Sequence, residues 1–472
     1  MQYLLSIFIE RNELMGSIRN KWLKIAGIAL AVLLLAYFGI QYYFADRYYY
    51  GTYINGVDVS FKTLAESEAL LKSKVENYVL EIKGRDIANE TITAADSGLE
   101  LKSENKLQTL KDEQNATSWL LSLFSSQHHS LDNVVVYDEA KLQKRIAELG
   151  CLDPGNVTDP KSAYIAFEGG AFKIFPEVTG NKLNEDKLKV ALREAIIKEE
   201  SSLDLDEKGL YEVPGYTSES PEVKAALELA GKYASTSISY EGSGGDITAD
   251  TAVVSQWVTI DENFNVSIDD AKVTQFVDEL AVKYNTYKTP RSFKTSLGTT
   301  VTISRGDYGW RINSQAEKDA ILKAVTDGQK IVREPEYLQK AASHGAADYG
   351  STYLEISLSA QHAWFYKNGV LIAHGDVVTG DVENGTTTPT GIYRLKYKDK
   401  DATLRGEDYE SDVSYWMPFN GDVGFHDASW RSKFGGDIYL KNGSHGCVNA
   451  PFSLAQAVFN NISAGNAVIV YR

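Results

Sequence analysis

Residues 353–380 read YLEISLSAQHAWFYKNGVLIAHGDVVTG, and this stretch decides the fold class of the C-terminal part of the chain. Apolar and polar positions alternate along it, which is the period of a β-strand with one buried face. The tripeptide Lys367-Asn368-Gly369 separates two such runs and predicts a hairpin turn. From residue 352 onward we therefore predict a mostly β domain, a sandwich or a barrel.

Short strand-like runs continue to the C-terminus of the chain. They are TPTGIYRLKY (388–397), YWMPF (415–419), DVGFHDASW (422–430) and DIYL (437–440). Residues 451–460 have the pattern of one short helix. The catalytic chemistry discussed below falls inside this strand-rich region, which we assign to residues 352–472.

Composition bounds the rest of the chain. The 472 residues carry a net charge of −16, and 43% of them are hydrophobic, so several packed domains are expected. An acidic chain without clustered Lys and Arg binds the phosphate backbone of nucleic acids poorly. We therefore expect no nucleic-acid partner.

The N-terminal region contains one candidate membrane span. Residues 25–45 carry no charge and are long enough to cross about 30 Å of hydrocarbon as a helix. Arg19, Lys21 and Lys24 precede this run, which predicts a cytoplasmic tail at 1–24 and an exported remainder anchored in the cell membrane. The alternative is a cleaved signal peptide, whose apolar run would be shorter and would end at a small-residue cleavage site.

The region between the span and residue 345 shows an internal repeat. Residues 180–196 recur in pattern 129 positions later, with Asn184 and Asn313 at equivalent places before apolar helical stripes. We predict α+β modules at 46–215 and 216–345. A polar connector at 333–351 leads into the last domain.

Residues 443–451, GSHGCVNAP, hold one of only two cysteines in the chain. A thiol becomes a strong nucleophile as thiolate, so a catalytic Cys447 needs a base. His445 would share its face on an extended segment, and an antiparallel neighbouring strand could bring His426 alongside. Gly446 would let a substrate carbonyl approach backbone N–H groups that form an oxyanion hole.

Two other interpretations of this motif stay open from the residues alone. Cys447 could be a packed thiol in a glycine-rich turn. A metal site formed by His445, Cys447 and His426 would lack a fourth ligand, so we expect neither a metal nor another cofactor.

The spacing from His426 through seventeen residues to Ser444-His445-Gly446-Cys447-Val448-Asn449 resembles the YkuD-type L,D-transpeptidases of bacterial cell walls. TPTGIY and FHDASWR are similar to the same family, and the resemblance covers residues 352–472. The upstream repeats more diffusely resemble the peptidoglycan-binding domains of Gram-positive, enterococcal-type members.

The resemblance implies an activity and site roles. Cys447 would attack the carbonyl of the third residue of a peptidoglycan tetrapeptide stem and release D-alanine, with His426 as base. Transfer to a neighbouring stem would give a 3→3 cross-link, and carbapenem-type β-lactams would acylate the thiol. Ser444, His445 and Gly446 would shape the loop, and Asn449 would brace it.

Two further functions remain open at this stage. Water in place of the acceptor amine would make the enzyme an L,D-carboxypeptidase, and an inactive domain would leave a membrane-anchored wall-binding protein. Tyr415, Trp416 and Trp430 are candidates for the walls of the peptide cleft, although core packing accounts equally well for such rings.

Overall fold

The computed structural model describes every residue except 87, 116, 242–246 and 407–409. The chain forms two compact units. The first comprises Met1–Ala163 and Pro176–Thr217, and the second comprises Tyr164–Phe175 and Ser218–Arg472. The second α+β module and the strand-rich domain thus belong to one unit, which also includes a hairpin from the preceding region.

The helices that precede the strand-rich domain are α1 (Gln2–Tyr43), α2 (Leu64–Glu76), α3 (Ala94–Ser97), α4 (Lys106–Glu113), α5 (Trp119–Ser122), α6 (Glu139–Ala147), α7 (Glu185–Ile197), α8 (Pro221–Ala234), α9 (Thr251–Trp257), α10 (Asp270–Tyr284) and α11 (Ser314–Asp327). Helix α12 (Phe452–Asn461) lies within that domain.

The strands before residue 352 are short. They are β1 (Thr52–Ile54), β2 (Val57–Asp58), β3 (Val79–Lys83), β4 (Glu90–Thr93), β5 (Glu100–Leu101), β6 (Gln127–His129), β7 (Val135–Val136), β8 (Tyr164–Glu168), β9 (Ala171–Phe175), β10 (Ser202–Asp204), β11 (Ser237–Tyr240), β12 (Ile247–Ala249), β13 (Val258–Ile260), β14 (Val266–Ile268), β15 (Arg291–Lys294), β16 (Thr300–Ile303), β17 (Arg311–Ile312), β18 (Lys330–Arg333) and β19 (Tyr337–Gln339).

The strands of the C-terminal domain are β20 (Tyr353–Ser357), β21 (His362–Lys367), β22 (Val370–Asp376), β23 (Gly391–Arg394), β24 (Asp399–Arg405), β25 (Glu410–Asn420), β26 (Val423–Asp427), β27 (Val448–Ala450) and β28 (Ala467–Tyr471). They form a five-stranded sheet of order β22-β21-β20-β28-β23 and a four-stranded sheet of order β24-β25-β26-β27. Side chains from both sheets and α12 share one buried core. The predicted mostly β domain is confirmed.

Helix α1 is the candidate membrane span. From Ile9 to Tyr43 it is long and apolar enough to cross a bilayer, and its most apolar stretch is not buried against the protein. Length and composition alone do not separate a retained span from a signal sequence.

The duplicated helices begin at the predicted residues. Asn184 caps α7 by accepting from the N–H of Lys187, and Asn313 caps α11 by accepting from that of Ala316. Their buried faces differ at one equivalent position, where the first copy buries Leu188 and the second buries Glu317.

Glu317 is fully buried and is neutralised locally. Its carboxylate pairs with Arg333 at 2.5 Å and also accepts from the hydroxyl of Tyr240. A second carboxylate oxygen accepts from the N–H of Glu336 at 2.7 Å. The second copy has thus replaced an apolar contact with a satisfied polar network.

The second module packs on the outer face of the five-stranded sheet. Phe293, Ile303 and Tyr308 join Ile392 and Ile469 in one buried cluster. The polar connector at 333–351 is also fixed at its end, because Asp348, fully buried, accepts from Arg291 at 2.7 and 2.8 Å.

Two local predictions meet different outcomes. The turn at Asn368 and Gly369 forms with both residues at positive φ, 50° and 79°, as the two-residue hairpin requires. The predicted strand at 437–440 is wrong, since Ile438–Leu440 is a turn of 3₁₀ helix. Its carbonyls at 438 and 440 accept from the N–H groups of Asn442 and Glu383.

We predict that Asp348→Asn lowers the free energy of unfolding by about 3 kcal/mol, because it leaves the buried guanidinium of Arg291 without its counter-charge. Asp327→Asn, which breaks an exposed pair with Lys323, should cost less than about 1 kcal/mol. Urea unfolding followed by tryptophan fluorescence measures both. Equal losses would show that the Arg291–Asp348 pair does not hold the connector.

Candidate functional site

The site is built on three adjacent strands. Strand β26 pairs antiparallel with β25, Trp416 opposite His426, and parallel with β27, His426 opposite Asn449. Phe425 and Val448 are fully buried in the domain core. Because side chains alternate across a strand, His426 and Asn449 lie on the other face, at a surface pocket.

The pocket has a volume of about 160 Å³. Eight of its lining residues come from β26, β27 and the segments that flank them, and two come from another hairpin. They are His426, Trp430, Arg431, Gly443, Ser444, His445, Cys447 and Asn449, with Leu404 and Ser411 from the β24–β25 hairpin. The thiol, both histidines and Asn449 thus share one cavity. The strand that brings His426 beside the motif is parallel, and the antiparallel neighbour predicted from the sequence is wrong.

The ring of His426 has a defined tautomer. Its Nδ1 lies 2.8 Å from the carbonyl oxygen of Asp427, and a carbonyl can only accept, so Nδ1 carries the proton. Nε2 is then an unprotonated acceptor, 3.1 Å from Nδ2 of Asn449. Burial of the ring lowers the pKa of His426 below its usual value, because the charged imidazolium is disfavoured there.

The carboxylate of Asp427 does not orient this ring. Asp427 is buried, and its two oxygens accept from the backbone N–H groups of Ser414 and Tyr415 at 3.2 and 2.8 Å. It therefore fastens β26 to β25. The ring of His426 is therefore oriented by the backbone carbonyl of Asp427 and not by its carboxylate.

Arg431 fixes the direction of the Asn449 amide. Its Nε donates to Oδ1 of Asn449 at 2.8 Å, which leaves the NH₂ group of that amide to face His426. Its two terminal nitrogens donate to the carbonyl oxygens of Asn442 and Gly443, each at 2.9 Å. Arg431 thus ties the loop before Cys447 to the strand after it.

Cys447 lies immediately before β27 and is 9% exposed. Its Sγ is 3.5 Å from the carbonyl oxygen of Asp422. Burial and the nearby Asp422 charge raise the pKa of Cys447 to about 11, against a lowering contribution from a backbone hydrogen bond with Gly424. At neutral pH the resting residue is therefore a thiol.

The loop before the thiol is held by hydroxyl groups. Ser444 Oγ donates to the carbonyl of Cys447 and accepts from the N–H of Gly446 at 3.1 Å. Thr388 Oγ1 donates to the carbonyl of Gly446 at 2.7 Å, and Thr386 Oγ1 donates to that of Ser444 at 2.8 Å. Gly446 has φ of +118°, which L side chains rarely adopt.

The two histidines of the sequence prediction differ in environment. His426 is 2% exposed, whereas the ring of His445 lies at the open side of the pocket. The segment at 445–446 is a bend and not an extended strand, so the shared-face argument for His445 does not apply. Among the residues that the structure describes, no group of three or more His, Cys, Asp or Glu side chains could hold a metal ion.

The three predicted aromatic residues separate into two sets. Trp416 is buried in contact with Cys447, with its ring 5.7 Å from that of His426. Trp430 is 51% exposed and its ring is 5.9 Å from that of His426. The prediction that Tyr415 forms a wall of the cleft is wrong. Tyr415 lies on the core face of β25 against Phe452 and Phe459 and does not line this pocket.

The part played by Gly424 is not predictable from its own segment of sequence. A Cβ at this position would lie 2.4 Å from the Trp416 ring, so only glycine lets the indole cover β26 beside His426. Leu404 and Ser411 were also missed, since nothing in the sequence marks which hairpin closes over the motif. Thr386 and Thr388 had a signal, because they form a Thr-rich run before the Pro389 turn.

Comparison with known proteins gives two family matches. Residues 351–470 match the L,D-transpeptidase catalytic domain, and residues 90–204 and 216–333 match a peptidoglycan-binding domain family. No curated protein matches the chain.

Solved structures of an enterococcal enzyme are similar to this chain. A carbamoyl enzyme of Ldtfm with avibactam has 33% identity over 53% of this chain and 99% of its own, with a TM-score of 0.46. A cysteine-to-serine variant of the Enterococcus faecium L,D-transpeptidase has 33% identity over 52% and 99%, with a TM-score of 0.45. The ertapenem-acylated catalytic domain from E. faecium has 41% identity over 26% and 98%, with a TM-score of 0.24. By its domain matches and by its 33% identity over 99% of two of these solved chains, this chain belongs to the L,D-transpeptidase family, with peptidoglycan-binding domains ahead of its catalytic domain.

Proposed function

We propose that this enzyme forms 3→3 cross-links in peptidoglycan through a thioester on Cys447. The observation that carries the proposal is the shared pocket of Cys447 and His426, in which the unprotonated Nε2 of the imidazole faces the cavity side of β26. The chemistry begins when Sγ attacks the carbonyl carbon of the third stem residue and its proton passes to Nε2 of His426.

The first half of the reaction ends with release of D-alanine. The C–N bond to the terminal residue breaks, and its nitrogen takes the proton from His426. The side-chain amine of a neighbouring stem then attacks the thioester, loses a proton to His426, and expels the sulfur, which recovers that proton. We assign the oxyanion contact to the backbone N–H of Cys447, because the N–H of Gly446 is already bonded to Ser444.

In the resting site the thiol of Cys447 is protonated and the imidazole of His426 is neutral, so the thiol must lose its proton as it attacks. The pKa of Cys447 is raised and that of His426 is lowered, so a preformed thiolate–imidazolium pair is disfavoured. Sγ also donates to the Asp422 carbonyl and must turn away from it to reach His426, and Nε2 must release the N–H of Asn449, which occupies its lone pair, before it takes the proton. Substrate binding would supply the displacement, and general-base catalysis the proton transfer.

The remaining residues complete the proposal. Ser444, Gly446 and Asn449 position the thiol and the base, Trp416 packs against the thiol from the buried side, and Trp430 flanks the stem peptide. His445, at the mouth of the pocket, would contact the incoming acyl group. Helix α1 would anchor the enzyme in the cell membrane with its catalytic domain at the wall, and carbapenem-type β-lactams would acylate Cys447.

We predict that a disaccharide-tetrapeptide incubated with the enzyme yields cross-linked dimers with loss of D-alanine, and that Cys447→Ala and His426→Ala each abolish them. The measurement is mass spectrometry that counts dimers and tripeptides separately. Cys151→Ala, at the buried cysteine of the first unit, is the matched control and should keep the dimers. Tripeptide alone would indicate a carboxypeptidase, and dimers from the Cys447→Ala variant would exclude the thioester.

We predict that alkylation of Cys447 by iodoacetamide accelerates by about tenfold for each pH unit between pH 7 and 9, because the thiolate fraction grows at that rate well below a pKa of about 11. Peptide mapping assigns the adduct to Cys447 or to Cys151. A rate that levels off below pH 8 would mean that the enzyme holds a preformed thiolate.

We predict that Asn449→Asp moves the acid limb of kcat/KM to higher pH. Burial lowers the pKa of His426, so the imidazole stays neutral to a lower pH than usual. The acid limb of the wild-type enzyme should therefore lie below pH 6.5. A carboxylate 3 Å from Nε2 would favour the imidazolium, and the base would then be lost at higher pH. Asn461→Asp, on α12 and outside the pocket, should leave the limb unmoved. An unchanged limb in Asn449→Asp would show that Asn449 does not tune the base.

A further inference from the structure

A small group of apolar side chains in the first unit has no partner in the domain core. We call residues 117–124 the apolar loop, which includes helix α5. Its exposed side chains are Leu120, Leu121, Leu123 and Phe124, with exposures of 50, 71, 48 and 85%. Four large apolar residues exposed within five positions make a contiguous patch, which soluble surfaces seldom carry without a partner.

The sequence around the apolar loop lacks charge. Residues 114–131 contain no Asp, Glu, Lys or Arg, although these make up 24% of the whole chain. A surface loop in water normally mixes both signs of charge. An uncharged loop with exposed leucine and phenylalanine suits a medium less polar than water.

The apolar loop is attached to helix α1. The hydroxyl of Tyr37 donates to the carbonyl of Thr117 at 3.2 Å, and the ring of Trp119 lies 5.7 Å from that of Tyr37. The ring of Phe44 stacks on Trp119 at 6.4 Å. Trp119 is only 7% exposed, so it fastens the loop to the helix while the residues after it stay uncovered.

The attachment point fixes the depth of the loop. Tyr37 precedes the end of α1 at Tyr43 by six residues, which is about 9 Å along the helix axis. In a bilayer that holds the charge-free residues 25–45, Tyr37 lies about 12 Å below the boundary between headgroups and acyl chains on the exported side, and Phe44, the second ring against Trp119, lies at that boundary. Tryptophan and tyrosine are enriched at that boundary.

We propose that the apolar loop is a second membrane-contacting element, which places Leu121 and Phe124 in the outer leaflet beside α1. The occupant of the patch is lipid, since the loop is attached to a helix whose most apolar stretch is not buried against the protein. The inference rests on the proposed retention of α1 as an anchor. Its consequence is that the first peptidoglycan-binding region is held against the membrane at two points.

The test uses the full chain with the substitutions Cys447→Ser and Leu121→Cys. The polarity-sensitive fluorophore NBD is attached to the cysteine introduced at position 121. The protein is reconstituted in phosphatidylcholine–phosphatidylglycerol vesicles that carry doxyl lipids of two kinds, with the quencher near the headgroup or near the end of the acyl chain. We expect a blue-shifted NBD emission that doxyl lipid quenches and aqueous iodide does not. The Cys447→Ser protein without the new cysteine gives the labelling blank for the buried Cys151.

Two further cysteine variants separate the possible failures. Leu33→Cys, on α1, reports whether the anchor lies in the bilayer, and Leu338→Cys, an exposed position in the second unit, reports a site in water. If Leu33 is quenched by doxyl lipid but Leu121 behaves like Leu338, the apolar loop does not contact lipid and the proposal is overturned. If Leu33 is not quenched either, the anchoring itself is wrong. Protection of Leu121 from both quenchers would mean a protein partner and would also overturn the proposal.

Discussion

The parallel pairing of β26 with β27 is the constraint on which the rest of the candidate site depends. It sets Phe425 beside Val448 in the core and therefore His426 beside Asn449 on the pocket face. A slip of one residue would exchange these faces and bury the imidazole in the core. The apolar packing between the two sheets thus determines where the imidazole of His426 lies, and the position of Cys447 follows because it is the residue before β27.

The hydrogen bonds that link Arg431, Asn449, His426 and Asp427 form a chain in which each donor has a fixed acceptor. Arg431 can only donate, so Oδ1 of Asn449 accepts from it and Nδ2 donates to His426, whose Nδ1 donates to the carbonyl of Asp427. Each orientation is imposed by a neighbour that has no alternative role. A donor held against Nε2 opposes protonation of the ring there, which acts in the same sense as burial.

Local chemistry made some parts of the structure predictable. The Asn368–Gly369 turn and the caps at Asn184 and Asn313 depend on residues within four positions, and all three are present. The pairing of Cys447 with His426 came from the resemblance to a known family, and both residues line one pocket. The direction of β27, the face taken by Tyr415 and the role of Gly424 were not, because each depends on a strand distant in sequence. Both Tyr415 and Trp416 are large aromatic residues, and composition cannot tell which of two such neighbours faces the core.

A resting thiol suits an enzyme that, as proposed, works outside the cytoplasm. Oxidants and stray electrophiles react with the thiolate, and reduction by cytosolic thiol systems does not reach the cell exterior. The raised pKa of Cys447 keeps the thiolate scarce, and its contact with the Asp422 carbonyl occupies the S–H group. The same features slow the attack on substrate unless a base is adjacent, and neutral His426 is the base in the proposed mechanism. Because both groups are buried, the Cys447 thiol is unreactive at rest. In the proposed mechanism it reacts only when a carbonyl carbon is bound between it and His426.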